Sequence, residues 1–156
     1  NLFKFRSMIL ESDNDESRKK EMQELIKGKK AVNNDSTKVD NSSRVTKFGK
    51  FIRKYSLDEL PQFFNVIKGD MSLVSPRPCI PYEYEVYDEW HKRRLDIKPG
   101  CTGLWQVSGR SEVSVDDSII LDIYYIQNIS PWLDLQLILK TIAVMIKGKG
   151  GERVKN

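Results

Sequence analysis

The stretch NISPWLDLQLILKTIAVMIKGKG limits most strongly what this chain can fold into. Ser130 has the side chain of a helix cap, and Pro131 fits the first helical position. Apolar residues then recur at helical spacing and predict one wide face: Leu135, Ile138, Leu139, Ile142 and Met145. The stretch is too short to span a bilayer, so this face must lie on a protein core or on a membrane surface. We expect a core helix.

The segment RVTKFGKFIRKYS predicts a shorter amphipathic helix that could likewise pack on a protein core or lie on a membrane surface. A helical stripe joins Val45, Phe48, Ile52 and Tyr55, whereas the lysines and arginines lie mostly on the other faces. A basic amphipathic helix of this kind can lie on a membrane surface. It can equally cover a core and turn a solvated face outward, and the segment alone leaves both interpretations open.

The remaining stretches predict short elements around these two helices. NLFKFRSM predicts a short strand, residues 14–27 a helix, and residues 28–43 a polar loop. YEYEVYDEWHKRRLDI predicts a helix, and SVDDSIILDIYYIQN predicts another, capped by Ser114 with Asp117. We therefore expect a single domain over residues 1–156, of the α+β class, rich in helices and with a small strand component.

Composition narrows the classes of function. The chain has 156 residues, 39% of them hydrophobic, which is enough for one buried core. Its formal charge of +4 is a mild basic excess that suits phosphate-bearing ligands or an anionic membrane surface. A nucleic-acid binder is a third interpretation, but it rests only on a pI of about 9.0, because the basic residues follow no RNA- or DNA-binding motif.

Cysteine and histidine usage excludes further kinds of site. Cys79 and Cys101 are the only cysteines, and their spacing fits neither a metal site nor a disulfide framework, so we interpret them as reduced thiols. His91 is the only histidine, which disfavours Ser/His/Asp catalysis and a histidine-rich zinc site. We expect His91 to be a partly exposed helix residue.

The stretch YSLDELPQFFNVIKGDMS sets two acids side by side and follows them with a proline. Ser56 and Glu59 fit a capping box, in which each side chain bonds the backbone N–H of the other residue. Pro61 would then lie one turn inside the helix and kink it. Taken alone, Asp58 and Glu59 are more readily residues of a first helical turn than a reaction centre.

Several cations are candidate ligands for phosphate. Arg53 stands five residues before Asp58, Arg77 lies between Pro76 and Pro78, and Arg110 follows Gly109. Lys4 and Arg6 flank Phe5. An arginine on a rigid loop suits phosphate oxygens, because its guanidinium group binds two of them at once. Singly, each cation is more readily a surface charge or a structural ion pair. Together with Asp58 and Glu59 they indicate a site for a negatively charged, metal-bound substrate, since carboxylates and phosphate oxygens commonly hold Mg²⁺. A carboxylate can also attack phosphorus, so this set of residues is consistent with phosphoryl transfer.

Four stretches, read together, resemble the bacterial sugar transferase family, the monotopic phosphoglycosyl transferases. They are FKFRSM, RVTKFGKFIRKYSLDELPQFFNVIKGDMSLVSPRP, KPGCTGLWQVSGR and LDIYYIQNISPWLDLQLILKT, in the order that the family has. They cover most of residues 1–10 and 44–142. The resemblance implies transfer of a sugar 1-phosphate from a UDP-sugar to a polyprenyl phosphate, at the start of bacterial surface glycan synthesis.

The resemblance also implies roles for individual residues. Asp58 matches the nucleophile, which attacks the β-phosphorus of the UDP-sugar, expels UMP and forms a covalent phospho-sugar that polyprenyl phosphate then accepts. Glu59 matches its partner acid, and the two together match the Mg²⁺ site. Asp122 matches a supporting acid, although by its residues alone it belongs to the polar face of a helix. The cations that match basic positions around the phosphates are Lys4, Arg53, Arg77 and Arg110.

The resemblance further implies a monotopic catalytic domain on the cytoplasmic face of the bacterial inner membrane, with amphipathic helices on the membrane surface. The family carries a hydrophobic N-terminal membrane segment, and since the chain shows none we expect it to be a fragment. Ser75 stands where the family usually has glycine, and the polar loop near residues 28–43 is longer than usual. The alternative function is a non-catalytic membrane-surface or anion-binding module of the same fold. The intact Asp58–Glu59 pair favours the enzyme.

Overall fold

The computed structural model describes residues 1–9, 16, 19–20, 23–24, 45–108 and 113–148. The elements, in chain order, are α1 (Lys47–Lys54), a 3-10 helix (Leu57–Glu59), α2 (Gln62–Ile67), β1 (Ser72–Val74), α3 (Pro81–Tyr84), α4 (Glu89–Lys92), a second 3-10 helix (Arg93–Leu95), β2 (Gly100–Thr102), α5 (Leu104–Ser108), α6 (Val115–Gln127) and α7 (Pro131–Ile146). This architecture confirms the predicted helix-rich α+β class. Within the described ranges, no helix has the length and apolar content that crossing a bilayer requires.

Two parallel strands form the sheet around which the helices pack. In β1 and β2, Ser72 is paired with Gly100 and Val74 with Thr102. The hydrophobic core lies where this sheet meets α6 and α7, and its buried members are Val74, Tyr125 and Leu137. The Tyr125 hydroxyl donates to Asp134 Oδ1 at 2.7 Å and lies 3.1 Å from the Val74 carbonyl oxygen, so one side chain ties both long helices to the sheet.

Polar caps begin the long helices as the sequence predicts. The Ser114 hydroxyl accepts from the backbone N–H of Asp117 at 3.0 Å, and the Ser130 hydroxyl accepts from that of Leu133 at 3.2 Å. Thr46 caps α1 in the same way by accepting from Gly49 N at 2.9 Å. The predicted starts of α6 and α7 are therefore confirmed.

The capping box predicted for Ser56 and Glu59 is wrong. Ser56 has a φ of 54° and a ψ of 24°, the left-handed conformation, and its side chain makes no capping bond. The chain turns sharply there, so α1 ends and the acids begin a separate 3-10 helix. The kink predicted at Pro61 is also wrong, because Pro61 precedes α2 instead of lying inside a helix.

The predicted core face of α7 is largely wrong. Leu137 is the fully buried residue of this helix, and only Ile138 of the predicted face packs against the core. Leu135, Leu139 and Ile142 are 46%, 58% and 48% exposed. The sheet, α5 and Tyr125 of α6 cover only one side of α7, so most of its apolar residues face away from the protein. The stripe predicted for α1 divides similarly, since Ile52 is buried and Phe48 is exposed.

Three further predictions concern the segment 82–97, the N-terminal strand and residues 14–43. The first two are corrected, and the third lies partly outside the described residues. The helix predicted for residues 82–97 is divided among α3, α4 and the second 3-10 helix. The N-terminal strand is reduced to one antiparallel bridge between Met8 and Val45. The described residues within 14–27 are helical, as predicted, whereas the loop predicted for 28–43 lies outside the described residues.

The expectation for His91 is wrong as well. His91 is 1% exposed, and its Nδ1 accepts from the backbone N–H of Asp88 at 2.9 Å. Its Nε2 therefore carries the hydrogen and donates to Asp116 Oδ1 at 3.1 Å. The histidine thus links α4 to the first turn of α6.

The left-handed Ser56 yields the first prediction. A residue with a Cβ loses roughly 1 kcal/mol in this conformation, and glycine does not. Ser56→Gly should leave the free energy of unfolding unchanged or raise it slightly, whereas Ser56→Val should lower it by roughly 1–2 kcal/mol. Urea unfolding measures both variants. Ser72→Val, in β1, is the control; equal losses at the two positions would contradict the explanation.

Candidate active site

The N-terminal segment, residues 1–9, lies across the start of the acidic stretch. The backbone N–H of Phe5 donates to the Asp58 carbonyl oxygen at 2.9 Å. The backbone N–H of Phe3 donates to Asn65 Oδ1 at 3.0 Å, and Asn65 Nδ2 donates to the Asn1 carbonyl oxygen at 2.7 Å. Because Asn65 is almost fully buried, these bonds fix the segment firmly and direct Lys4, between the two anchored phenylalanines, to the acids.

A second anchor holds the far end of this segment. The Ser7 carbonyl oxygen accepts from Thr46 N at 3.0 Å, directly at the start of α1. A Cβ on Gly49 would lie 2.1 Å from that oxygen, so only glycine allows α1 to approach the segment this closely. The segment and α1 are therefore positioned together with the acids that follow α1.

The acidic pair converges on one cation. The ammonium group of Lys4 lies 3.0 Å from Asp58 Oδ2 and 3.2 Å from Glu59 Oε1. Asp58 is 3% exposed, whereas the side chains of Glu59 and Lys4 are 37% and 36% exposed. Two consecutive carboxylates that reach the same point from a tight 3-10 turn can hold a cation between them, with Asp58 inside and Glu59 at the solvent edge.

Because the two carboxylates converge, their oxygens can be compared with the ligands that a metal ion needs. Carboxylate oxygens are suitable ligands for Mg²⁺, and the substrate's phosphate oxygens commonly complete its coordination. Across the described part of the chain, no group of three or more His, Cys, Asp or Glu residues could hold a metal without such help. The residues present therefore fit a metal that arrives with, or is completed by, a phosphate ligand.

The dyad also lies near the sheet. Cys101 is in β2, and its pKa is raised to about 11, first by burial and then by the charge of Glu59. Cys79 likewise has a pKa raised to about 11, first by burial and then by Glu83. Both cysteines are free, as predicted, and both remain protonated thiols at neutral pH.

Arg77 belongs to a second cluster of charges. Its Nη2 donates to Glu83 Oε1 at 3.1 Å, and the other oxygen of Glu83 accepts from Ile80 N at 3.1 Å. The Arg77 side chain is 31% exposed, while that of Glu83 is 8% exposed. The arginine thus reaches the surface from a loop whose anchor is buried.

Arg94 and Asp122 form the buried part of this second cluster. Arg94 Nη2 lies 2.7 Å from Asp122 Oδ2, and the two side chains are 6% and 0% exposed. This contact is a close charge pair with poor hydrogen-bond alignment, so neither oxygen of Asp122 accepts a well-aligned hydrogen bond from the described residues. Burial raises the pKa of Asp122 to about 6, and Arg94 opposes that rise. Asp122 therefore faces the interior, and its assignment to a polar helix face is wrong.

Ser75 is accommodated by a hydrogen bond of its own. Its hydroxyl donates to the Lys98 carbonyl oxygen at 2.6 Å, and the residue is 1% exposed. Its backbone N–H donates to the Thr102 carbonyl oxygen at 2.8 Å. The serine thus continues the pairing of β1 with β2 and begins the loop that carries Arg77.

The structure separates the predicted site residues into groups. It brings Lys4, Asp58 and Glu59 together, and it places Arg77 and Asp122 in the second cluster. Arg53 is half-buried in the last turn of α1, which packs against the 3-10 helix of the dyad. Arg110 lies outside the described residues.

Sequence reasoning missed Arg94. It stands in the run HKRRL beside Arg93, which is exposed, and no local signal separates the two. Only the packing of α6 against the second 3-10 helix, which brings Asp122 to Arg94, distinguishes them.

Comparisons with known proteins agree on one family. A family model described as bacterial sugar transferase matches residues 1–148. The galactosyl transferase CpsE of Streptococcus agalactiae is 47% identical over 155 residues, which cover 96% of this chain and 32% of that protein. The undecaprenyl-phosphate galactose phosphotransferase of Salmonella typhimurium is 44% identical over 95% of this chain and 30% of its own length.

A third relative has a different sugar in its name. The UDP-N-acetylgalactosamine-undecaprenyl-phosphate N-acetylgalactosaminephosphotransferase of Aeromonas hydrophila is 44% identical over 71% of this chain and 28% of its own length. The chain spans about a third of the length of these curated relatives.

The raised pKa of Asp122 generates the second prediction. Its carboxyl binds protons more tightly in the folded protein than in the unfolded chain, where the pKa is about 3.9. Its contribution to the free energy of unfolding should therefore fall as pH rises from about 4 to about 6, and stay level above. Asp122→Asn removes this dependence.

The measurement is urea unfolding of the wild type and Asp122→Asn at several pH values between 4 and 7. The free energy of unfolding of the wild type minus that of Asp122→Asn should fall as pH rises from about 4 to about 6. Asp96→Asn, at an exposed position, controls for carboxylate loss in general. A difference that grows with pH would mean that attraction to Arg94 outweighs burial.

Proposed function

Because the chain belongs to the bacterial sugar transferase family, we propose that it transfers a sugar 1-phosphate from a UDP-sugar to a polyprenyl phosphate, through a covalent phospho-sugar on Asp58. The observation that carries the proposal is the convergence of Asp58 and Glu59 on the Lys4 ammonium group. Undecaprenyl phosphate in the names of two similar proteins supports the acceptor class. A non-catalytic module would have no need to keep two adjacent carboxylates directed at one point.

The first half of the reaction uses Asp58 as nucleophile. Its carboxylate oxygen attacks the β-phosphorus of the donor and forms an acyl phosphate, while the bond from that phosphorus to the bridging oxygen breaks and UMP leaves with the electron pair. Burial of Asp58 and the backbone bond from Phe5 N to its carbonyl hold the carboxylate in one orientation. The orientation matters because in-line attack needs a fixed approach to phosphorus.

The second half returns Asp58 to its starting state. An oxygen of the polyprenyl phosphate attacks the same phosphorus, the acyl phosphate bond breaks, and the carboxylate leaves with the electron pair. The product is a sugar joined to the lipid through a diphosphate. Water must be excluded during this interval, and the 3% exposure of Asp58 is in accord with that requirement.

Lys4 and Glu59 help to neutralise the negative charge of an incoming diphosphate, Lys4 directly and Glu59 by holding Mg²⁺. Lys4 offsets the repulsion between the Asp58 carboxylate and the donor, and its exposed ammonium group can move toward phosphate oxygens as they arrive. Mg²⁺ held by Glu59 and Asp58 together with the phosphates would supply further charge neutralisation and polarise the phosphorus. Arg53, Arg77 and Arg110 remain the proposed ligands of the donor's other phosphate oxygens.

The exposed apolar faces support a membrane-surface location. The outward stripe of α7 has helical spacing and consists of Trp132, Leu135, Leu139, Ile142 and Ile146, all exposed. Phe48 and Phe51 are exposed on α1, among the exposed lysines of that helix. The ends of these helices meet, since a Cβ on Gly148 would lie 2.9 Å from Lys54 Cε. Apolar side chains bordered by lysines suit the interface of an anionic leaflet.

We assign this surface to the cytoplasmic leaflet of the inner membrane, since the nucleotide-sugar donor is cytosolic. The acceptor's phosphate would then meet the dyad at the membrane surface, where its polyprenyl chain stays in the lipid. The relatives' names contain galactose and N-acetylgalactosamine, so the UDP forms of both sugars belong in a donor panel.

The third prediction concerns the nucleophile. In vesicles that contain polyprenyl phosphate, the protein should release UMP from a UDP-sugar, and Asp58→Asn should lower the rate by roughly 10⁴-fold or more. Chelation of divalent cations should abolish release in the wild type. Asp70→Asn, at an exposed carboxylate on the same segment, is the matched control and should retain activity. Turnover by Asp58→Asn at the native rate, or a trapped phospho-sugar on another residue, would exclude the mechanism.

The fourth prediction concerns the membrane surface. Leu139→Glu places a charge in the middle of the α7 stripe, and Gln136→Glu places the same charge on the same helix beside it. Leu139→Glu should weaken co-sedimentation of residues 1–156 with anionic vesicles by roughly tenfold or more, because an apolar side chain is lost from the interface. Gln136→Glu should weaken it much less. Equal losses of vesicle binding in the two variants would indicate that charge alone attracts the protein to the vesicles, and would contradict an apolar contact by the α7 stripe.

A further inference from the structure

We propose that Arg94 is a positioning residue for the transfer reaction: its guanidinium group fixes the backbone of Arg77, and Asp122 holds that guanidinium group in place. The inference rests on the proposed function, in which Arg77 binds phosphate oxygens of the donor. Arg94 acts only through Arg77 and touches no substrate.

Arg94 joins three parts of the chain through one buried group. Nη1 donates to the Tyr87 hydroxyl at 3.0 Å, and Nη2 donates to the Arg77 carbonyl oxygen at 3.2 Å. Nη2 also lies 2.7 Å from Asp122 Oδ2 on α6. A buried charge with an oppositely charged neighbour and several fixed contacts is costly to assemble and has few alternative arrangements. Such a group is suited to fix a loop.

The loop that Arg94 holds has few other ways to be held. Pro76 and Pro78 lack backbone N–H groups, so this part of the loop depends on its carbonyl oxygens. The Pro76 carbonyl oxygen accepts from Gly100 N at 2.8 Å, and the next carbonyl, that of Arg77, accepts from Arg94. The loop is therefore fixed at two successive carbonyls, one through the sheet and one through Arg94.

The Arg77 side chain is held independently by Glu83 at 3.1 Å, and that bond uses one of its five N–H donors. With the backbone and the side chain both fixed, its exposed edge has a defined direction. Both arginines line a cavity of about 220 Å³, together with Pro76 and Pro78 of the loop. Loss of the Arg94 guanidinium group would enlarge this cavity and let the loop that carries Arg77 shift.

Lysine could not replace Arg94. The guanidinium group is planar and directs donors along fixed axes, whereas an ammonium group is a point charge on a flexible stem. Arg94→Lys keeps a positive charge beside Asp122, so the chain avoids an unpaired buried carboxylate. It loses the simultaneous bonds to Tyr87 and Arg77. Arg94→Lys therefore tests the positioning of Arg77 while the positive charge beside Asp122 is kept.

The experiment compares Arg94→Lys with Arg93→Lys, the same change at the exposed neighbouring residue. In lipid vesicles, Arg94→Lys should lower kcat/KM for the UDP-sugar by roughly tenfold or more, since a misplaced binding group costs up to about a hundredfold. Arg93→Lys should match the wild type. Equal activity of Arg94→Lys and Arg93→Lys would overturn the inference.

A double-mutant cycle with Arg77→Ala distinguishes positioning from a general structural effect. If Arg94 acts through Arg77, then Arg94→Lys should cause almost no further loss of kcat/KM once Arg77 is alanine. A loss by the same factor in both backgrounds would overturn the inference. Should Arg94→Lys fail to fold, Tyr87→Phe removes one Arg94 contact more mildly and enters the same cycle with the same two outcomes.

The two proposals fail separately in this experiment. Absence of UMP release by the wild type would remove the proposed function and this inference with it. Release by the wild type, loss in Arg77→Ala and full activity in Arg94→Lys would leave the function intact and remove only the role of Arg94.

Discussion

The contact of the Lys4 ammonium group with the Asp58 and Glu59 carboxylates is the interaction on which the candidate site depends. A carboxylate as buried as Asp58 is costly without a cation beside it. Lys4 can supply that cation only because backbone bonds fix residues 1–9 against the acidic stretch and against α1. The geometry of the candidate site is therefore set by main-chain contacts between segments that are about fifty residues apart, and the charges complete it.

The second cluster repeats this arrangement with arginines. Arg77 with Glu83 and Arg94 with Asp122 alternate in charge, and each buried acid lies beside a guanidinium group. The dyad lies on a 3-10 turn that α1 and residues 1–9 hold in place, whereas the second cluster lies between the loop after β1 and α6. This division suits a phosphoryl-transfer site, because a rigid support positions loops whose charged groups remain partly accessible to a ligand.

The outward face of α7 shows why an apolar pattern does not identify its own partner. Leu137 packs into the core, whereas the stripe that contains Leu139 is exposed although it is equally apolar. Core packing and the hydrocarbon edge of a bilayer select for the same side chains, since both exclude water. Only the position of the sheet and of α5 and α6 determines which side of the helix the protein covers.

The sequence by itself determined the local features that depend on neighbouring residues: the caps at Ser114 and Ser130, and the helix-rich α+β class of the chain. It misplaced features that depend on distant contacts. The left-handed Ser56 overrides a capping box, and the turn after it is bonded to a distant segment, through Phe5 N and the Asp58 carbonyl oxygen. Likewise Arg94 differs from Arg93 only through Asp122, which lies 28 residues further along the chain. Local hydrogen-bonding patterns are encoded within a few residues, whereas burial and charge pairing exist only once segments distant in sequence have packed together.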